Sequence, residues 1–464
     1  HYLEIGNNRL FANEGHQGGG IQVGHPYTDG LPVDAGNDNL YIHNNWISGN
    51  GSPIGYPGGI ALYGGAHEYD VVGNYICGNY ATGSGGGIGH IGLSDNGRIA
   101  ENTILFNECF IQSPIDIGGG GIAIEGAQLL AEATFGAGNV EIVDNLIQGN
   151  FAGAGDGGGI RLAFVNGQDV SASPDIADWY YVNIFNNMIV NNVTGGSGGG
   201  ISLQDAVRTR IINNTVANND STATIGALIS TLDGFSTAQP GVGIVSRVHS
   251  AGLAALLPPA AADFSDPTRL ANNIITNNRA FSYHVDGGLM FENIDDLAVV
   301  GSAATLDPRY SILTDATGYH GSNITADPML IGGYFNGNNP DTSVPEDSTP
   351  LTAAATDEGG NFVQVLYDPV TPVGDYHIMS TSPAVNNGQP YTAVADLQND
   401  IDGDERVVSL PDQSFDIGAD EVPGIVGGGN LCTGDLNFDG SVNLADFNMF
   451  LTEYGLSGCN NLDT

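Results

Sequence analysis

From Ile5 to Asn278 the apolar and polar positions of this chain recur in one phrase: an aliphatic residue, two others, Asn, one more, an aliphatic residue, two others, Asn. The copies are Ile5-Asn8-Leu10-Asn13, Ile42-Asn45-Ile47-Asn50, Val71-Asn74-Ile76-Asn79 and Ile99-Asn102-Ile104-Asn107. They continue as Ile142-Asn145-Ile147-Asn150, Ile184-Asn187-Ile189-Asn192, Ile211-Asn214-Val216-Asn219 and Leu270-Asn273-Ile275-Asn278. A glycine knot with an aliphatic residue follows most copies, at 18–21, 58–60, 85–88, 118–122, 157–160, 198–201 and 287–289. Gly and Asn are poor in helix interiors, and the repeats show no sustained 3.6-residue period. Two-residue alternation does appear, in Leu40-Tyr41-Ile42-His43 and Ile122-Ala123-Ile124-Glu125. The pattern predicts short strands broken by Asn and Gly.

Repeats of this length stack into a solenoid. Equivalent Asn residues are separated by 37, 29, 28, 43, 42, 27 and 59 residues. A base coil of the shortest of these lengths, with loops inserted on some turns, accounts for the series. The fold class expected is all-β, a right-handed parallel β-helix followed by a small EF-hand-like calcium module. Stacked Asn side chains should form a ladder, each amide bonding the next. Asn also tolerates the left-handed backbone conformation that the turns demand. The longest insertion carries residues 241–266, expected to be a loop emerging from the coil.

Charge narrows the choice of partners. The chain has 52 acidic residues against 10 basic ones, all arginine, for a net charge of −42. That excess argues against nucleic acid and anionic membranes, and favours bound cations or a salty medium. No apolar run approaches the roughly 20 residues needed to span a bilayer. Cys432 and Cys459 bracket a C-terminal segment as a disulfide staple would, and Cys77 and Cys109 fall in adjacent coils where a second disulfide competes with two buried thiols. The sequence begins at His1 inside the first repeat. This suggests a removed leader or a longer precursor, and an uncapped first coil that invites head-to-tail stacking.

Residues 423–431 read as a glycine-rich linker, and 432–464 as a separate module after the regular coils (1–293) and an irregular continuation (294–422). Within the module stands Asp435-Leu436-Asn437-Phe438-Asp439-Gly440-Ser441-Val442-Asn443-Leu444-Ala445-Asp446. Oxygen donors at positions 1, 3, 5, 7, 9 and 12, with Gly at 6, are what a single loop needs to wrap calcium. Asp435, Asn437, Asp439 and Asp446 would give side-chain oxygens, Ser441 its carbonyl, and Asn443 a direct or water-borne contact. Ending the loop in Asp rather than Glu, this segment resembles a dockerin repeat. The resemblance implies calcium binding; dockerins carry two such repeats and bind cohesins, and only one is present here.

The Gly-Gly-Gly-Ile and Asn-x-Ile-x-x-Asn pairing resembles repeats of polymorphic outer-membrane proteins, which are surface adhesins. Ser382-Pro383-Ala384-Val385-Asn386-Asn387-Gly388, Asp400-Ile401-Asp402-Gly403-Asp404-Glu405-Arg406 and Asp416-Ile417-Gly418-Ala419-Asp420-Glu421 are together similar to the closing segment of secreted "choice-of-anchor" β-helix proteins. These resemblances imply export to a bacterial surface or matrix. The Asp400–Asp404 cluster reads as a turn cap, with a second cation as the alternative.

Pectin-lyase-like β-helices also include polysaccharide-cleaving enzymes, so fold does not decide activity. The chain has no lysine to act as a base, and arginine is a reluctant one. Glu4, Asp70, Arg98, Glu141, Arg210 and Arg269 share one outward position and are read as cross-coil ion pairs. Tyr63, Glu125, Gln204 and Glu292 follow the glycine knots, with Arg161 two residues out of frame, as a possible glycan-binding stripe. No catalytic residues are assigned. The expected function is that of a secreted, calcium-binding structural protein in adhesion or self-assembly, with copies of itself or matrix proteins as partners. The alternatives are a polysaccharide lyase or hydrolase, and a carbohydrate- or cohesin-binding module.

Overall fold

Each repeat turns the chain at its two Asn residues, and this sends its two aliphatic residues into different sheets. In the computed structural model, Ile5, Ile42, Val71, Ile99, Ile142, Ile184, Ile211 and Leu270 pair in parallel register along a first sheet. Leu10, Ile47, Ile76, Ile104, Ile147, Ile189, Val216 and Ile275 do so in a second, which continues through Ile312–Leu313 and Ile324–Thr325. A third sheet of two-residue strands follows the second Asn, from Gly51–Ser52 to Asp220–Ser221. A fourth collects the aliphatic residue after each glycine knot: Ile21, Ile60, Ile88, Ile122, Ile160, Ile201, Ile244 and Leu297. The architecture is all-β, parallel and solenoid-like. Its α-helices among the described residues are Gln168–Ala172 and Ala251–Ala254, neither long enough to cross a membrane.

The structure describes residues 2–25, 34–53, 55–110, 117–127, 133–153, 155–286, 288–336, 374–391, 394–406 and 414–422. The chain divides into two compact units, His1–Val422 and Pro423–Thr464, and every described residue belongs to the first. The calcium-loop residues Asp435, Asn437, Asp439, Ser441, Asn443 and Asp446, with Cys432 and Cys459, lie outside the described residues.

The inward aliphatic residues stack into one core and are fully buried through the central coils, each contributing roughly 1.5–3 kcal/mol. Above them run two amide ladders. Asn8, Asn45, Asn74, Asn102, Asn145, Asn187, Asn214 and Asn273 form one, each Nδ2 donating to the next Oδ1 at 3.0, 3.0, 3.0, 3.0, 2.9, 3.0 and 3.1 Å. Asn13, Asn50, Asn79, Asn107, Asn150, Asn192, Asn219 and Asn278 form the other.

The left-handed conformation falls one residue earlier than the sequence suggests. It is taken by the residue before each ladder Asn: Asn44, Glu101, Asp144, Asn186, Asn213 and Asn272 on one turn, Phe106, Asn191, Asn218 and Asn277 on the other. The ladder Asn itself must point its amide inward, so its predecessor makes the bend and faces out. Glycine knots allow close coil stacking: a Cβ on Gly87 would meet the Gly121 carbonyl oxygen at 2.7 Å.

Two expectations change, and one left open is decided. Residues 241–266 are not simply a loop. Ile244–Arg247 is a strand of the fourth sheet, because Gly241-Val242-Gly243-Ile244 is a knot with valine in its middle. Leu289 is not a knot position; Gly288–Ile294 turns back antiparallel on Arg279–His284, and Leu297 takes the coil position. Cys77 and Cys109 are not bonded to each other. The turn at Asn107 carries Cys109 into the third sheet, opposite Ala81, while Cys77 stays in the second, opposite Leu105.

Candidate functional site

The outward faces of the first two sheets become apolar in the later coils, and the chain returns to cover them. Ala100, Val143, Phe185 and Ile212 pack around Leu397. Met188, Val190 and Ala217 pack with Tyr376 and Ala419, and Ile274 and Ile312 with Ile378, Ala384 and Ile417. The left-handed asparagines, facing out, grip this overlay. Asn186 Nδ2 donates to the carbonyls of Asp396 and Asn399 at 2.8 and 2.9 Å. Asn272 exchanges two bonds with the Gln389 backbone, at 2.7 and 2.8 Å. Asn191 and Asn218 both donate to Tyr334 O, at 2.7 and 2.9 Å.

Arg406, only 1% exposed, clamps the end of the overlay. Its guanidinium reaches Glu421 Oε2 at 3.1 Å, Asn186 Oδ1 at 3.1 Å, and the carbonyls of Gly418 and Ala419 at 3.0 and 2.9 Å. Glu421 Oε2 also accepts from Asp416 N at 2.8 Å. Burial, then the neighbouring Asp416 charge, pushes the Glu421 carboxyl up from its usual range.

Where the overlay leaves the sheets it borders an acidic, solvent-open cavity of about 610 Å³. Glu101, Thr103, Asp144 and Met188 form its solenoid wall; His377, Asp400 and Asp402 form the opposite one. Glu101 and Asp144 occupy left-handed turn positions, at φ of 56° each, where other coils use Asn or Gly. Burial drives the Asp144 carboxyl up to about 7; Asn186 and Arg98 oppose the shift, while Glu101 and Asp396 add to it. On the other wall, His377 Nδ1 lies 2.7 Å from Asp375 Oδ1 and Nε2 lies 2.7 Å from Asp402 Oδ2. Asp402, against the pull of burial, and then Asp375 raise the imidazole to about 9. Such a clamp can hold a proton or exchange it for a cation.

No known protein family, curated protein or solved structure matches this chain.

The residues singled out in the sequence meet only in part. Tyr63, Glu125 and Gln204 share one register in the fourth sheet, through Ile91 and Ala163. Tyr63 is buried, its hydroxyl donating to Gln17 O at 2.5 Å. Arg161 Nε lies 3.1 Å from Glu125 Oε1, so these two neutralise each other across coils. Glu292 is in a different sheet, on the hairpin, accepting from the Ser282 hydroxyl; leaving the repeat at Asn278 carries it away from the stripe. The charged row of Glu4, Asp70, Arg98, Glu141, Arg210 and Arg269 is in register, with Tyr41 and Asn183 between. Its Arg98 turns to Asp396 of the overlay at 3.7 Å, and Arg210 to Asn183 Oδ1 at 2.8 Å. Asp400 does cap a turn, its Oδ1 accepting from Asp402 N and Asp404 N at 3.0 and 2.8 Å.

Sequence reasoning missed His377, Asp144 and the gripping asparagines. The last had a signal: Asn-Asn doublets at 186–187, 191–192, 213–214, 218–219, 272–273 and 277–278 concentrate in the coils the overlay covers.

Asp144 carries a pH test. Its folded carboxyl retains a proton that the unfolded chain loses from about pH 4 upward, so its contribution to stability falls as pH rises toward 7. Asp144→Asn suits the left-handed turn and removes the buried charge. It is expected to gain about 1–3 kcal/mol over the parent near pH 8 and nothing near pH 4. Urea unfolding at the two pH values checks this; a parallel pH dependence in parent and variant would refute it.

Proposed function

We propose that this chain is a secreted structural protein of a bacterial surface or extracellular matrix. In this reading it is a right-handed parallel β-helix that works in adhesion or in assembly with copies of itself or with other matrix proteins. The overlay is the observation that supports it best. An enzyme acting on a long polysaccharide needs a continuous groove along the stacked strands, and this chain fills that ground with its own residues. The two bonded amide ladders suit a stiff, load-carrying rod. The dockerin-like loop from Asp435 to Asp446 supplies calcium, through the six oxygen donors named above, as the switch for assembly.

Electron microscopy of the full chain in millimolar calcium, and again after chelation, tests the reading. Arrays or filaments that fall apart without calcium are expected, and Asp435→Ala with Asp439→Ala should reproduce the chelated state. Single rods under both conditions would overturn assembly.

A second reading, a polysaccharide lyase or hydrolase, draws on the cavity alone. Asp144, raised to about 7, has the ionisation of a general acid, with Glu101 lining the same wall. Release of reducing ends or unsaturated products from acidic polysaccharides, lost in Asp144→Ala, would favour it.

A further inference from the structure

We infer that His377, Asp402 and Asp420 form a binding site for a first-row divalent cation of the zinc type, distinct from the C-terminal calcium loop. Donor atoms of the three lie within 4.8 Å of one another. They come from separate stretches of the overlay: the strand Asp375–Ile378, the turn after Asp400, and the end of the segment at Asp420.

Two of the three donors are held in place by groups outside the set. His377 Nδ1 is fixed by Asp375 at 2.7 Å, which makes Nε2 the ligand atom; a cation would take the place of the proton it now shares with Asp402 Oδ2, 2.7 Å away, and move the two slightly apart. A carboxylate behind a ligating imidazole is the usual outer support of such sites. Asp420 is only 7% exposed, and its Oδ2 accepts from Ile378 N at 2.7 Å. Its other oxygen accepts no hydrogen bond among the described residues, so a buried carboxylate beside His377 and Asp402 keeps a lone pair unused. Asp400, the neighbouring carboxylate, spends both oxygens on the backbone amides of Asp402, Asp404 and Glu421. His377 and Asp402 face the cavity, which has room for water to complete the coordination.

The donor set chooses the ion. One imidazole and two carboxylates match zinc and its neighbours, whereas calcium takes six to eight oxygens. Binding would tie three stretches of the overlay together at one point and so raise its resistance to opening.

The test uses the full chain, stripped of metal and kept in excess calcium so that the C-terminal loop is saturated. Co²⁺ is then titrated while visible d–d absorption is followed, with stoichiometry from equilibrium dialysis. One equivalent is expected that His377→Gln and Asp402→Asn each lose, while Asp375→Asn weakens binding by about 10–100-fold. The melting temperature of the parent should rise with Co²⁺ or Zn²⁺ and that of His377→Gln should not. Circular dichroism checks that the variants remain folded, and the milder Asp375→Asn still reads the site if either does not. An absent d–d band in the parent, or unchanged isotherms in variants that fold, would overturn the assignment. Failure of calcium-dependent assembly would leave this result untouched, because the readouts are separate.

Discussion

Asn150→Ala is expected to cost about 4–6 kcal/mol, from one side chain in the middle of the solenoid. Asn150 is fully buried and uses every donor and acceptor it has. Its Oδ1 accepts from Asn107 N and Asn107 Nδ2 at 2.9 and 3.0 Å. Its Nδ2 donates to Ile104 O and to Asn192 Oδ1, both at 3.0 Å. Alanine strands the Asn107 amide and one proton of its side chain, each orphan costing about 1–3 kcal/mol in a site closed to water, and takes one of two bonds from the Ile104 carbonyl, which keeps its place in the parallel ladder. Because coils contact only their neighbours, the damage should be local. Hydrogen exchange should accelerate first at Asn107 and Phe151, and later at the coils to either side.

Asn150→Asp separates lost hydrogen bonds from shape. The carboxylate can still accept from Asn107, but its second oxygen faces Ile104 O and Asn192 Oδ1, two acceptors. A buried, unpaired charge costs more than a missing bond, so aspartate should be worse than alanine at neutral pH. Its folded-state ionisation must shift upward, so part of the loss returns as pH falls below that shifted value. A variant equal to the parent at neutral pH would show that the ladder bonds carry no stability.

The ladder was legible because its positions recur at fixed offsets, and physics leaves an Asn repeated in an apolar frame little else to do. The register of Glu4, Asp70, Arg98, Glu141, Arg210 and Arg269 follows from the same offsets. What the repeat did not announce was where it bends its own rules. The knot at 241–244 hides behind a valine, and Gly288–Ile294 copies the knot composition while reversing direction. The cavity joins residues with no sequence relation: Asp144 and His377 approach only because Leu397, Ala419 and Ile417 find apolar patches on the outer sheet faces. Long-range docking of an irregular segment leaves no period to read. Even so, the doublets Asn186-Asn187 and Asn272-Asn273 mark its landing places, since an outward left-handed Asn adds a free amide wherever the backbone turns.

The second large effect is expected at Arg406→Met, and it decides whether the overlay is part of the solenoid or a separable cover. Methionine fills much of the same space beside Phe415 without the charge, but strands Glu421, only 3% exposed, beside Asp416. Breaking a buried ion pair from one side costs about 3–5 kcal/mol. It also removes the bonds to Asn186, Gly418 and Ala419, which tie three stretches together. Arg406→Met with Glu421→Gln should recover much of the loss, because the stranded charge is then gone. If the overlay is a cover, the amides of Arg406, Ile417 and Gly418, which bond Gln398 O, Ala384 O and Asn272 O, should exchange quickly in Arg406→Met. The ladder amides of Asn102, Asn145 and Asn187 should stay protected, since their partners are within the coils. Simultaneous loss of both sets would mean that the solenoid cannot stand without its overlay. The apolar outer faces of Phe185 and Ile212 would then be core rather than a docking surface.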